Sequence, residues 1–265
     1  GGLLVDKTHF IRKLIDEDGS RFFFLSRPKR FGKTTFLNML FRFLNGDELY
    51  FKDTDIFDRG NMVEGNGTWL RYPIIYIDFT TISIEFDTTG EKFLKQFRKI
   101  LMQIANFYGL QIEEEDINII QLIDDLEEKY HLPVSILVDE YDAPLSKSIL
   151  SKRTEKQVAS VLSEFYINIK ACKEKLRLVF VLGVSKLYVL GNGLTMYKDI
   201  TFNRDYTSIM GFTSKEFEDN FKSHIEDFAK NRSSDYDGMK KDMEGWYGWY
   251  RFGTDERTRV LNPGS

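Results

Sequence analysis

Short apolar runs alternate with segments whose apolar residues recur at helical spacing along most of the chain. Arg21 to Pro28, RFFFLSRP, sets Phe22, Phe23, Phe24 and Leu25 in succession, the pattern of a strand buried on both faces. In the following TTFLNMLFRFLNG, Phe36, Leu37, Leu40, Phe41 and Leu44 return at helical spacing, and Gly46 is a natural stop. Tyr72 to Thr80, YPIIYIDFT, is β-branched and aromatic and predicts a second strand. EKFLKQFRKILMQIANFYG predicts an amphipathic helix ending at Gly109. IEEEDINIIQLIDDLEEKYH is acidic, but Ile119, Ile120, Ile123 and Leu126 form one apolar stripe, so it reads as a solvated helix packed on the sheet rather than an acidic binding tail. Val134 to Pro144, VSILVDEYDAP, predicts a third buried strand. A helix follows from about Glu155 to Lys173, with Val158, Val161, Leu162, Phe165 and Ile169 on its apolar face. Leu176 to Ser185, LRLVFVLGVS, predicts the fourth strand. This alternation predicts an α/β fold with a mostly parallel sheet flanked by helices. From Gly211 onward the chain turns polar and helical, then rich in Trp and Tyr. The expected division is a core over 1–205 and a small helical, lid-like region over 206–265, which ends at RVLNPGS as if cut short.

Composition narrows the class. The 23 Phe, 13 Tyr and 3 Trp supply ample apolar area for a core and exclude a disordered chain. A net charge of -4 argues against a protein that coats nucleic acid. Cys172 stands alone, which excludes an intramolecular disulfide and a cysteine-based zinc site and fits a reducing, cytoplasmic setting. His9, His131 and His224 lack metal-ligand spacing. No apolar run approaches the ~20 residues needed to cross a bilayer, so no membrane is expected.

The chemistry concentrates after the first strand. RPKRFGKTT lies between a buried strand and a helix and ends in Gly32, Lys33 and Thr34, as the phosphate-binding pattern G-x-x-x-x-G-K-[ST] does, although Arg27 replaces its first glycine. Main-chain N–H groups at a helix start favour anions, and glycine lets a phosphate approach the backbone. The predicted nucleotide-binding residues are Pro28, Lys29, Arg30, Phe31, Gly32, Lys33, Thr34 and Thr35. Lys33 would reach the β- and γ-phosphates and the Thr34 hydroxyl would ligate Mg²⁺. Arg27, Lys29 and Arg30 add positive charge that also favours phosphate. The run SILVDEYD then puts Asp139 at a strand end, where a carboxylate projects toward a metal, and Glu140 beside it suits a general base. Asp142 is a weaker candidate for the metal shell. Ser185, ending VFVLGVSK, is a candidate sensor of the γ-phosphate or attacking water, and Lys186 has less support. The absence of an NKxD-like motif favours adenine over guanine. Glu127-x-Lys129 matches half of a nuclease motif but falls on a helical, solvated face. The Trp246 to Gly253 cluster reads as core packing rather than base stacking.

Together, VDKTHFIRKLI, FFFLSRPKRFGKTTFLNML, ILVDEYDAPL, VFVLGVSKL, DITFNRDYTSIMGFTSKEF and WYGWYRFG followed by NP resemble the predicted AAA-ATPase-like family of P-loop proteins over nearly the whole chain. The resemblance implies an extra strand between the strand that carries the phosphate loop (Walker A) and the strand that ends in Asp139 (Walker B). It implies ATP and Mg²⁺, with Lys33 and Thr34 in Walker A and Asp139 and Glu140 in Walker B. Arg27 in place of the first glycine is usual for such proteins. Val5, Asp6, Lys7 and Thr8 match the VDKT block, with Asp6 or Thr8 expected near the base or ribose. Members often carry a C-terminal PD-(D/E)xK nuclease-like domain. That domain would lie after residue 265 and would bring nucleic acid as a partner. A homo-oligomer is a further expected partner. Arg30, Arg204 and Arg251 are arginine-finger candidates, and a neighbouring subunit is another source.

Three functions follow as alternatives. The first is Mg-dependent ATP binding and hydrolysis that drives a conformational or regulatory change, with Lys33 and Glu140 catalytic. The second is a switch that holds nucleotide and turns over slowly. The third is a nucleic-acid or protein interaction module with an idle loop, against which the net charge of -4 counts.

Overall fold

A computed structural model describes residues 5–16, 19–57, 69–82, 90–146, 152–186, 193–232, 235–253 and 258–263. The four apolar runs become β1 (Phe22–Ser26), β2 (Ile74–Asp78), β3 (Val134–Asp139) and β4 (Leu176–Gly183), and a short β5 (Lys198–Asp199) joins them. All pair in parallel, in the order β2-β3-β4-β1-β5. β4 therefore lies between β1 and β3, which is the extra strand expected between the phosphate-loop strand and the Asp139 strand.

Side-chain alternation explains why both faces are covered. Phe22 and Phe24 of β1, Val134, Ile136 and Val138 of β3, and Val179 and Val181 of β4 enter one core. Phe23, Leu25, Leu137, Leu178, Phe180 and Leu182 enter the other. A strand that must be apolar at every position reads as a continuous run, as these do. The first face is covered by α3 (Glu91–Phe107), α4 (Ile119–Tyr130), the short α5 (Ala143–Ser146), which contributes Ala143, and α6 (Lys152–Ala171), and the second by α1 (Thr8–Asp16) and α2 (Lys33–Leu44).

The boundaries differ from expectation where a cap intervenes. Helix α4 begins at Ile119 and not within the acidic run, because Asn118 is extended and its side chain accepts from Gln121 N at 3.0 Å. The buried stripe is Ile119, Leu122, Ile123 and Leu126, while Ile120 is 37% exposed. His131 ends this helix in a left-handed conformation. Helix α6 starts earlier than expected, at Lys152, and the strands stop short of the predicted ends, at Ser26, Asp78, Asp139 and Gly183.

The C-terminal part is helical as expected in α7 (Ser214–Arg232) and α8 (Tyr236–Tyr247), but the chain then returns as β6 (Trp249–Tyr250), antiparallel to β7 (Val260–Leu261). Phe217, Ile225, Ala229, Met239 and Leu261 form a small core of their own. Ile200, Tyr206, Ile209, Met210, Phe252 and Val260 instead share the core of the second sheet face. Packing is thus continuous across the expected boundary at residue 205. Of the aromatic cluster, Phe252 packs in the core as expected, whereas Tyr250 is 37% exposed with its ring edge-on to Phe31; the side chains of Trp246 and Tyr247 lie outside the described residues.

Gly183 closes β4 against the segment after β3. A Cβ there would enter the Tyr141 ring and stand 2.7 Å from Asp142 Oδ1. Gly183→Ala is expected to lose about 1–3 kcal/mol by overpacking. Gly245→Ala, with open space around its Cβ within α8, is expected to hold or gain up to about 1 kcal/mol. Urea unfolding of both variants checks the contrast.

Candidate active site at the carboxyl edge of the sheet

Parallel pairing brings every strand end to one edge. The register sets Asp78 beside Asp139 and Ser26 beside Gly183, so the loop after β1, the acids after β3 and the serine after β4 are neighbours. The loop turns through two left-handed residues, Arg30 at φ 67° and Gly32 at φ 84°, before α2 begins at Lys33. A Cβ on Gly32 would meet nothing within 4 Å, so the space over the helix start is open. The N-cap residue is Gly32, which has no side chain to cap the helix, so among the described residues no cap side chain competes with an outside acceptor for its first N–H groups.

Lys33 does not extend into solvent. Its Nζ donates to the carbonyls of Arg27 at 3.1 Å and Pro28 at 3.2 Å, and lies 3.2 Å from Glu140 Oε1. An ammonium has three donors, and these three acceptors account for them. Thr34 Oγ1 donates to Asp139 Oδ2 at 2.8 Å. The four residues predicted to carry the chemistry are therefore in direct contact as two pairs, drawn from the loop and from the end of β3. Thr34 and Thr35 are exposed, as are Lys29 and Arg30.

Burial raises the Asp139 carboxyl above its ordinary range. The Thr34 hydrogen bond opposes this, and the charges of Glu140 and Asp78 add to it. Tyr76 is pushed up as well, by burial and then by Asp139 and Asp78. This edge is a site of concentrated negative charge that a cation would relieve. Glu140 itself has φ 48°, a left-handed backbone that non-glycine residues adopt at a cost.

The residues present fit a magnesium ion. Mg²⁺ keeps several waters and takes one or two protein ligands plus substrate phosphates, so a hydroxyl and a carboxylate already 2.8 Å apart are a suitable donor set.

Ser185 and Asp142 form a separate joint. Asp142 is 1% exposed, and its carboxylate accepts from Val184 N at 3.1 Å, Ser185 N at 3.0 Å and Ser185 Oγ at 3.0 Å. Tyr141 OH donates to Ser185 O at 2.7 Å. The Asp142 oxygens are thus committed to the end of β4, in place of the metal shell considered from the sequence. Lys186 pairs with Asp199 at 2.8 Å.

Several expected contributors have other work. Arg27 is fully buried, and its guanidinium is held by main-chain carbonyls and an aromatic ring, so its charge is not presented to a phosphate entering from solvent. Asp6 accepts from Thr8 N at 2.8 Å and Asp55 N at 2.9 Å, and Thr8 is 1% exposed. The VDKT block is thereby a joint of the fold: Lys7 Nζ reaches Ser208 O at 2.8 Å and both Glu216 oxygens, at 2.6 and 2.7 Å. Arg204 and Arg251 are exposed. Glu127 and Lys129 lie on α4, half-buried and exposed, as read from the sequence. Asp78 is the site residue that the sequence reading passed over. Its signal is the same as that of Asp139, an apolar run ending in aspartate.

The chain is 28% identical over 262 residues to a protein of Azotobacter chroococcum mcd 1 described as an uncharacterized protein in the vnfD 5' region. That match takes in 98% of the chain but 46% of the relative, so the chain spans under half of its length. Among solved structures, the Aeropyrum pernix ORC2 protein, determined in ADPNP–ADP complexes, is similar over 73% of this chain and 44% of that one, at 13% identity and a TM-score of 0.39. Residues 1–191 match the family described as predicted AAA-ATPase, the family that the motif blocks resemble. With the loop, the acidic strand end and the inserted strand all in place, the chain belongs to that AAA-ATPase-like family.

Proposed function

We propose that this chain binds ATP with Mg²⁺ at the 28–35 loop and hydrolyses its terminal phosphate. The observation that carries this reading is the pairing of loop and strand end: Lys33 with Glu140 at 3.2 Å, and Thr34 with Asp139 at 2.8 Å. Family membership supports ATPase chemistry in general. In this reading the main-chain N–H groups from Pro28 to Thr35 cradle the phosphates, and Lys33 leaves its carbonyl acceptors to contact them. Thr34 and Asp139 would hold Mg²⁺, which supplies neutralisation of phosphate charge. Glu140, released as Lys33 turns to the phosphates, accepts a proton from water as its oxygen attacks the γ-phosphorus. The bond from that phosphorus to the bridging oxygen breaks, giving ADP and phosphate. Ser185, fixed by Asp142 and Tyr141, would stand as the sensor.

One observation favours the slower switch as a second reading. Glu140 is engaged by Lys33, so turnover requires that pair to open. Measured turnover against bound nucleotide after purification separates the two: a switch retains nucleotide and turns over rarely. The end driven by hydrolysis would be a conformational or regulatory change.

Two variants test the site. A ligand at ~100 times its Kd adds about 2.7 kcal/mol of stability. Mg–ATP is expected to raise the melting temperature of the wild type and to leave that of Lys33→Ala unchanged, as followed by thermal unfolding. Glu140→Gln is expected to keep that stabilisation and to lose ~10²–10⁴-fold in turnover, as followed by phosphate release. A Glu140→Gln variant with wild-type turnover would remove Glu140 from the chemistry.

A further inference from the structure

The loop starts with an arginine where the general pattern has a glycine, and that arginine is spent on the C-terminal part of the chain. Arg27 is 0% exposed. Its Nη1 donates to Thr201 O at 2.7 Å and to Ser26 O at 3.0 Å, and its Nη2 to Tyr206 O at 3.3 Å. The guanidinium lies over the Phe252 ring, 3.9 Å from its centroid. Phe31 leans the same way, edge-on to Tyr250 at 4.9 Å and Phe252 at 5.3 Å. Lys29 lends its carbonyl to Asn262 Nδ2 at 3.3 Å. Alternate loop residues 27, 29 and 31 are thus braced by the 201–206 segment and the region around β6 and β7.

A buried guanidinium is costly, and burial pulls the Arg27 pKa down despite the nearby Asp199 charge. An apolar side chain would fill the same space without that cost. What the planar fork supplies is fixed geometry, since several donors and a stacking face act at once. The main chain it fixes matters, because the Arg27 carbonyl is one of the acceptors of Lys33 Nζ, at 3.1 Å.

We infer that Arg27 is a positioning residue for ATP binding. Braced on Thr201, Tyr206 and Phe252, it sets the main chain at the start of the loop and with it the stance of Lys33. The C-terminal strand region thereby completes a phosphate loop that lies wholly in the N-terminal part of the sequence. This inference rests on the ATP reading above.

The test uses the whole chain and Mg–ADP as the calorimetric probe, with steady-state ATP hydrolysis and melting temperature measured alongside. Arg27→Lys keeps the charge and loses the fork and the stacking. Phe252→Leu leaves Arg27 in place and removes the ring that carries its guanidinium and meets Phe31. Ile225→Val, in the separate α7–α8 core, is the control for loss of stability. Both test variants are expected to raise Kd for Mg–ADP and KM for ATP about tenfold, the scale of one lost charged hydrogen bond or stacking contact, with kcat at saturation changed less than about threefold. The control is expected to bind as the wild type does. Wild-type affinity in both test variants, a loss confined to kcat, or an equal loss in Ile225→Val overturns the assignment. If Arg27→Lys fails to fold, Phe252→Leu decides. Wild-type protein that neither binds Mg–ADP nor turns over ATP overturns the ATP reading itself and the inference with it. That result appears in the wild type and is distinct from an effect of the variants.

Discussion

Parallel strands in one sheet all end on the same side, and that constraint assembles this site. β1, β4 and β3 run in register, so whatever follows each strand is delivered to a common edge. The first turn of α2 must then reach across the end of β4 to meet β3. It does so through Thr34, whose hydroxyl bonds to Asp139 at 2.8 Å. Lys33, one residue earlier and buried, finds two carbonyls of its own loop and the Glu140 carboxylate. Without those acceptors a buried ammonium would be prohibitively costly, so the ion pair and the loop carbonyls together allow a lysine to wait inside the protein.

Much of this was legible in the sequence, and the reason is physical. A strand covered on both faces must be apolar throughout, and four such runs stood out at Phe22, Ile74, Val134 and Leu176. Gly32, Lys33 and Thr34 occupy positions where backbone geometry and charge leave few alternatives, and Asp139 and Glu140 are conspicuous after an apolar run. What stayed hidden depended on long-range contact. Nothing local says that Arg27 points to residues 201–252, or that Asp142 is consumed by the end of β4. The strand pair β6 and β7 is too short to leave a period, and its partners are separated by residues with no alternation. The onset of α4 turned on one cap, Asn118, which an acidic run obscured.

The motif blocks of the sequence divide into those that form the edge and those that hold the frame around it. Lys7 and Glu216 lie 209 residues apart, yet they make one partly buried joint that also takes in Ser208. Glu216 also closes the start of α7, where its carboxylate accepts from Thr213 N at 2.8 Å. The N-terminal helix, the C-terminal helices and the loop are therefore parts of one mechanical circuit, and a block that looks like a signature of chemistry can be a hinge pin.

The left-handed backbone at Glu140 has an evolutionary reading. A residue with φ 48° would be relaxed by glycine, and more cheaply held by asparagine, but neither supplies the carboxylate that faces the buried Lys33, so backbone strain and ion pairing pull this position in opposite directions. A library screened only for heat resistance therefore weighs one against the other: drift to glycine or asparagine means that the strain outweighs the ion pair, and retention of the acid means the reverse.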